Sequence, residues 1–301
     1  MFTSKYTSVQ GLHIVTIATQ EAFYLPYLRA SCRHHGQELT VLGMGRQAEW
    51  QGLTTKLQWM LHFLRQLPQN DLVCFVDGYD VICTHDLHEL PMAFRAMCIR
   101  HGGQVVIAHN LYPRPWMHLV HHVYYKRCKG YNLNSGTYMG RVRDIQRIIQ
   151  RSVYLNRIRK TKSDQQLLTL DCIEHPEEFC IDTESSLFLN INDFGQDLRP
   201  HVQITNGRLT YNDNQPFFVH ANGNGILDTI LVDLGYRIRA SVRRKRIQQL
   251  RIEVHTKFWF HLRQYVQANK WTLVVFLVCV CLFVSVMWIA YTRWYKRHHS
   301  S

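Results

Sequence analysis

An α/β domain with a mostly parallel sheet flanked by helices is the fold class this sequence predicts, and three observations predict it. Short apolar runs of strand length alternate with segments of helical spacing. One of those runs ends abruptly in two carboxylates, as strands do that open onto a ligand crevice. The order strand, helix, strand is then kept over most of the first 236 residues. Leu12-His-Ile-Val-Thr-Ile-Ala-Thr19 reads as the first buried strand, followed by a helical pattern from Glu21 to His34. Glu38-Leu-Thr-Val-Leu-Gly43 is the second strand, and Thr54 to Gln66 has the spacing of a helix, with Leu57, Met60, Leu61 and Leu64 on one face. The strand Leu72–Val76 comes third, then a helix near Leu87–Arg100 and the strand Gln104-Val-Val-Ile-Ala-His109. Helices near Val142–Ile158 and Asp164–Cys172 and short strands near Phe179–Ile181, Leu187–Leu189 and Phe217–Val219 complete a single domain, 1–236.

The stretch Asp71-Leu-Val-Cys-Phe-Val-Asp-Gly-Tyr-Asp80 organises the rest. A fully apolar strand that delivers Asp77 and Asp80 to its C-terminal edge offers two hard oxygen donors to a pocket, which suits Mg²⁺ or Mn²⁺ together with the phosphates of a nucleotide. The plainer reading is two solvated acids capping the next helix. Other stretches supply residue types that a sugar-nucleotide site requires. Small residues follow the first strand in Thr16-Ile-Ala-Thr19, and Leu133-Asn-Ser-Gly136 reads as a polar turn. Ser163-Asp164-Gln165 opens a helix, and Val219-His220-Ala-Asn-Gly223 ends an apolar strand in an imidazole that Mn²⁺ accepts.

The net charge of +13 is not spread over the chain. Residues 1–236 hold 22 Lys+Arg against 21 Asp+Glu, whereas 237–270 hold 10 against 1, so a basic nucleic-acid-binding face on the domain is disfavoured. Apolar residues from Ile247 to Val266 recur every three or four positions with Arg and Lys opposite, as in a basic amphipathic helix lying on an anionic leaflet. Residues 271–291 carry no charge and have aromatic residues near their ends, which predicts a single transmembrane helix ahead of a short basic tail, 292–301. The larger basic cluster precedes this helix, and the first residues contain no apolar signal-like run. A C-terminal anchor with the domain in the cytosol is therefore expected. The nine Cys form no C-x-x-C pair and suit reduced, buried thiols better than a disulfide framework or a zinc site, and no Asn-x-Ser/Thr sequon is present.

From about Leu12 to Gly225 the chain resembles the glycosyltransferase domain of procollagen lysyl hydroxylases and the related collagen glycosyltransferases. The matching pieces are Thr16-Ile-Ala-Thr19, Gly43-Met-Gly45, Glu49-Trp-Gln-Gly52 with Lys56, Phe75-Val-Asp-Gly-Tyr-Asp80, Leu133-Asn-Ser-Gly136, Asp164-Gln165, Ile181-Asp182 with Phe188, and His220-Ala-Asn-Gly223. The resemblance implies a GT-A-like fold and a membrane-anchored hexosyltransferase that uses UDP-glucose or UDP-galactose, Mn²⁺ or Mg²⁺, and a hydroxyl acceptor such as protein hydroxylysine, with no nucleic-acid partner. It implies that Asp77, Asp80 and His220 ligate the metal, that Thr19 and Tyr79 lie against the uridine, and that Lys56 meets the diphosphate. It also places Trp50 on a loop that closes over the donor, and Asn134, Asp164, Asn222 and Gly223 toward the sugar and acceptor. Asp164 and Asp182 are the carboxylates available to orient the acceptor hydroxyl or stabilise an oxocarbenium-like centre. The chain departs from the family where several consecutive acids shrink to Ser163-Asp164 and where His-Gly-Asn-Gly becomes His220-Ala-Asn-Gly223. A catalytically degenerate transferase fold serving as a membrane-tethered interaction module is the competing reading. A basic protein bridging membrane and nucleic acid is a weaker third, and the accessory and dioxygenase domains of lysyl hydroxylases have no counterpart in this sequence.

Overall fold

The structure is a computed structural model, and it describes residues 11–110, 126–161, 163–191, 202–222 and 226–239. The predicted transmembrane helix 271–291, the tail 292–301 and all of the basic segment 237–270 beyond residue 239 lie outside the described residues. Among the described residues no helix is long and apolar enough to cross a membrane.

The main sheet contains β1 (Leu12–Ile17), β2 (Leu39–Leu42), β3 (Leu72–Val76), β5 (Val105–His109), β6 (Leu133–Arg141) and β7 (Phe179–Asp182) in the order β2-β1-β3-β6-β5-β7. It is mixed but mostly parallel, with five of its six strands running in one direction. β1 runs parallel to β2 and β3, and β5 to β7, but β6 lies antiparallel to both of its neighbours. The predicted polar turn Leu133–Gly136 is in fact the start of β6. Its Asn and Ser are polar but buried, so they leave no hydrophobic signature of a strand.

Both faces of the sheet are covered, so its strands are mostly buried rather than alternating, and all but β6 are mainly apolar. On one face α1 (Leu25–His34) and α3 (Leu90–His101) pack Leu25, Leu28, Phe94 and Met97 against Ile14, Cys74, Val76 and Val106. The other face is covered by α2 (Thr54–Leu64), α4 (Val142–Arg159) and α5 (Asp164–Glu174), where Leu57, Met60, Ile148 and Leu167 meet Val15, Val73 and Phe75. α1 starts at Leu25 and not at Glu21 because Phe23 sits at φ 51°, outside helical space, and Pro26 falls in the first turn where no N–H is needed.

A second sheet sets β11 (Phe218–His220) between β4 (Val81–Cys83), to which it is antiparallel, and β8 (Phe188–Asn190), to which it is parallel. A hairpin of β9 (Val202–Thr205) and β10 (Arg208–Tyr211) turns at Asn206-Gly207, both at positive φ, as tight hairpin turns demand. Next comes the short helix α6 (Asp228–Asp233). Sequence analysis placed neither the hairpin nor α6.

The expectation of reduced thiols is corrected at one pair, because Cys128 and Cys172 form a disulfide. It ties the turn before β6 to the last residues of α5 across 44 positions of sequence. That separation is too long for spacing to reveal a pairing. Cys32, Cys74, Cys83, Cys98 and Cys180 are free.

The C-cap of α1 makes stability depend on pH. Desolvation, with His34 and His85 close by and only Asp86 opposing, pushes the half-buried His35 imidazole down from 6.5 to about 4. The unfolded chain therefore binds the extra proton first, and stability should fall as pH drops from about 6.5 to 4, by up to about 3 kcal/mol for this group. Urea unfolding across that window should show the decline, and His35→Gln should flatten it. An unchanged slope in the variant would refute the assignment.

Candidate metal and donor site

Strand β3 ends at the edge of the sheet, where the Asp77 N–H donates to the Gly136 carbonyl at 2.8 Å. The turn that follows squeezes past β1. A Cβ on Gly78 would come within 2.9 Å of Thr16 Oγ1 and 3.0 Å of the Ile17 carbonyl, so only glycine fits. Asp80 then leads into β4, and β11 returns His220 beside it, with the Ala221 N–H donating to the Asp80 carbonyl at 2.8 Å. One ligand atom from each of Asp77, Asp80 and His220 lies within 4.8 Å of the others. Nε2 of His220 is 3.5 Å from Asp80 Oδ1 and 3.8 Å from Asp77 Oδ2, and it is buried with no hydrogen-bond partner among the described residues. A ring nitrogen left orphaned between two carboxylates fits a divalent cation, and two carboxylates with one imidazole suit Mn²⁺ or Mg²⁺. Gly136 makes room for the set, since a Cβ there would lie 2.7 Å from Asp77 Oδ2.

Lys56 is not a solvated helix residue. It projects from α2 into the site with 8% exposure and pairs with Asp77 Oδ1 at 2.9 Å and Asp164 Oδ2 at 2.8 Å. Desolvation works against its charge, but the pull of Asp164 and Asp77 more than offsets it and raises the pKa above the usual lysine range. Desolvation also raises the Asp77 carboxyl, with Lys56 opposing and Asp80 adding to the rise. Asp164, 3% exposed, is fixed at the first turn of α5, where the Ser163 hydroxyl accepts the Gln166 N–H as the helix cap.

Thr19 and Tyr79 are brought together, because the Tyr79 hydroxyl accepts the Thr19 N–H at 3.0 Å and the Gln20 N–H at 3.2 Å. Asn134 and Asn222 are joined through a residue that sequence analysis missed. Asn110 Oδ1 accepts from both side-chain amides, at 2.8 and 2.9 Å. A register shift between Ile107 and Ala108 in the β5–β6 pairing accompanies this arrangement, as bulges do beside functional sites. Asn190, also missed, accepts from His220 Nδ1 at 2.8 Å. Asn190 closes the apolar run Leu187–Leu189, the same pattern that singled out Asp77 and His220, and Asn110 follows the run Val105–Ala108 one residue later, after His109.

Other predicted residues stand apart from this cluster. The Asp182 carboxylate is fully buried and accepts the N–H groups of Ser186, Leu187 and Phe188, all at 2.8 Å, so it caps the turn into β8. Trp50 packs edge to face on Trp59 with ring centroids 5.8 Å apart. Gly223 lies outside the described residues.

Removing Lys56 would leave two neighbouring carboxylates, one of them buried, without their ammonium. Lys56→Met should cost about 3 to 5 kcal/mol of unfolding free energy in metal-free buffer, and Asp164→Asn added to it should recover part of that loss. A loss below about 1 kcal/mol would show that the pair carries no structural weight.

Residues 8–245 match the family model described as the PLOD GT domain. Two curated relatives align with the chain. An uncharacterized protein of Acanthamoeba polyphaga mimivirus is 27% identical over 199 residues, which cover 64% of this chain and 41% of that protein. Procollagen-lysine,2-oxoglutarate 5-dioxygenase of Drosophila melanogaster is 24% identical over 238 residues, 72% of this chain and 31% of that protein. The chain thus spans less than half the length of either relative. Among solved structures, a glycosyltransferase involved in the glycosylation of the major capsid of PBCV-1 aligns with a TM-score of 0.46 at 14% identity, over 70% of this chain and 94% of its own. Mouse xyloside xylosyltransferase 1 aligns at 0.42 and 13%, over 71% and 99%. The match takes in most of the chain, which therefore belongs to the PLOD GT domain family and is a glycosyltransferase-type domain.

Proposed function

We propose that this protein is a metal-dependent glycosyltransferase of GT-A-like fold that moves a hexose from UDP-glucose or UDP-galactose to a hydroxyl acceptor. The observation that carries this reading is the orphaned Nε2 of His220 between the carboxylates of Asp77 and Asp80. Those three side chains would hold Mn²⁺ or Mg²⁺. Such an ion, when bound, neutralises charge that develops on a diphosphate leaving group. Tyr79 and Thr19 form a wall for the nucleoside, and the Lys56 ammonium adds fixed positive charge beside the diphosphate. Asp164 is the carboxylate placed to orient the acceptor hydroxyl, and Asn134 and Asn222, held by Asn110, orient the sugar. Asp182 is assigned to the fold, since three amides occupy its carboxylate. Hydroxylysine in a collagen-like chain is the acceptor to test first, in line with the family.

One observation favours a degenerate, non-catalytic module instead. Lys56 already pairs with both Asp77 and Asp164 within the protein, where Ser163 stands in place of a further acid of the family. A UDP-sugar panel with the full chain separates the two readings. UDP release should require Mn²⁺ or Mg²⁺ and fall roughly 100-fold or more in Asp77→Ala or Asp80→Ala, since a metal contributes several kcal/mol to such transition states. No turnover of any UDP-sugar with either metal would leave the degenerate reading.

The anchor at 271–291 and its basic flank remain part of this proposal. The Cys128–Cys172 disulfide argues for an oxidising compartment, and so against the cytosolic placement expected from the flanking charges. Thiol trapping on the full chain in intact cells should leave two cysteines unalkylated until reduction. Complete alkylation without reductant would return the domain to the cytosol.

A further inference from the structure

The structure assigns Asn190 as the positioning residue that selects the metal-competent tautomer of His220, an inference that rests on the metal reading above. Asn190 closes β8 in direct register with His220 on β11, and its side chain is fully buried. Its amide could in principle point either way, since O and N are told apart only by their partners. Here the partner decides. The side-chain nitrogen lies 2.8 Å from the His109 backbone carbonyl, which can only accept, so that end is the NH₂. The oxygen end is therefore turned to His220 Nδ1 at 2.8 Å, and a carbonyl oxygen offers no proton, so Nδ1 must donate.

The consequence falls on the other side of the ring. With the proton of the neutral imidazole held on Nδ1, the buried Nε2 presents a lone pair toward Asp77 and Asp80. An acceptor on the far side of a ligating imidazole fixes ring and tautomer in this way. Without it the proton could move to Nε2, where it would hydrogen-bond a carboxylate and close the site to a cation. The chain of constraint runs from the backbone of β5 through Asn190 to His220. It involves neither Lys56 nor the nucleoside wall.

Two substitutions separate positioning from mere packing. Asn190→Leu keeps the branched shape and heavy-atom count of the side chain and loses both hydrogen bonds, whereas Asn190→Asp keeps an acceptor for Nδ1–H and replaces the donor to His109 with an oxygen. Titration of the full chain with Mn²⁺ alone, followed by electron paramagnetic resonance, should show the affinity falling about 10- to 100-fold in Asn190→Leu and staying within about threefold of wild type in Asn190→Asp. A purely structural role predicts equal losses, and that result, or an unchanged Asn190→Leu, overturns the inference. A second readout needs neither metal nor variant folding. The ¹⁵N spectrum of selectively labelled, metal-free protein should show His220 as the Nδ1–H form, and an Nε2–H form would overturn the inference. Wild-type protein that takes up no Mn²⁺ while showing the Nδ1–H form would sink the metal reading and leave the Asn190 assignment standing.

Discussion

Charge balance at the end of β3 is the constraint on which the site depends. Asp77, Asp80 and Asp164 bring three carboxylates against the single ammonium of Lys56, and His220 turns a bare ring nitrogen toward two of them. Three acids this close are costly in a partly desolvated pocket, where Coulomb repulsion is weakly screened. Lys56 offsets part of that cost from inside the protein. The surplus among these named groups is two negative charges, the charge of a divalent cation. The same cation would give His220 Nε2 the partner that no atom of the described residues supplies.

Precision at the site comes from buried amides rather than from more charge. Asn110 links Asn134 on β6 to Asn222 after β11, and Asn190 links β5 to His220, so both bonds cross between the two sheets. Asn110 and Asn190 have both ends of their amides bonded, which is the condition under which a buried polar network rigidifies a site. Glycine does the complementary work of leaving space. Gly78 lets the turn from Asp77 to Asp80 pass β1, and Gly136 leaves room for His220 and Asp77.

Much of this was legible in the sequence, for a physical reason. A strand buried on both faces is a short apolar run, and a polar residue that ends such a run stands at the rim of the sheet. Asp77, Asp80 and His220 were found by that pattern; Asn190 obeys it equally, and Asn110 nearly so, one residue beyond His109. They were passed over because asparagine carries no charge to draw attention. β6 was misread because it is buried by small and polar residues, and nothing in its own side chains encodes its direction relative to β3 and β5. The role of Lys56 was open because a lysine on an amphipathic helix is ambiguous until the burial of its ammonium is known. Asp182 shows the reverse failure. It ends an apolar strand as the candidate ligands Asp77 and His220 do, yet its carboxylate is spent on three backbone amides. The pairing of Cys128 with Cys172 depends on how α5 packs, which sequence spacing does not carry.

The most direct test of the account is anomalous diffraction at the manganese edge from crystals of the protein grown with Mn²⁺ and UDP. The account predicts one strong peak within bonding distance of Asp77, Asp80 and His220 Nε2, with the UDP diphosphate completing its coordination. An empty site there, or a peak confined to His175, Glu177 and Glu178, the other group among the described residues able to gather around an ion, would contradict it.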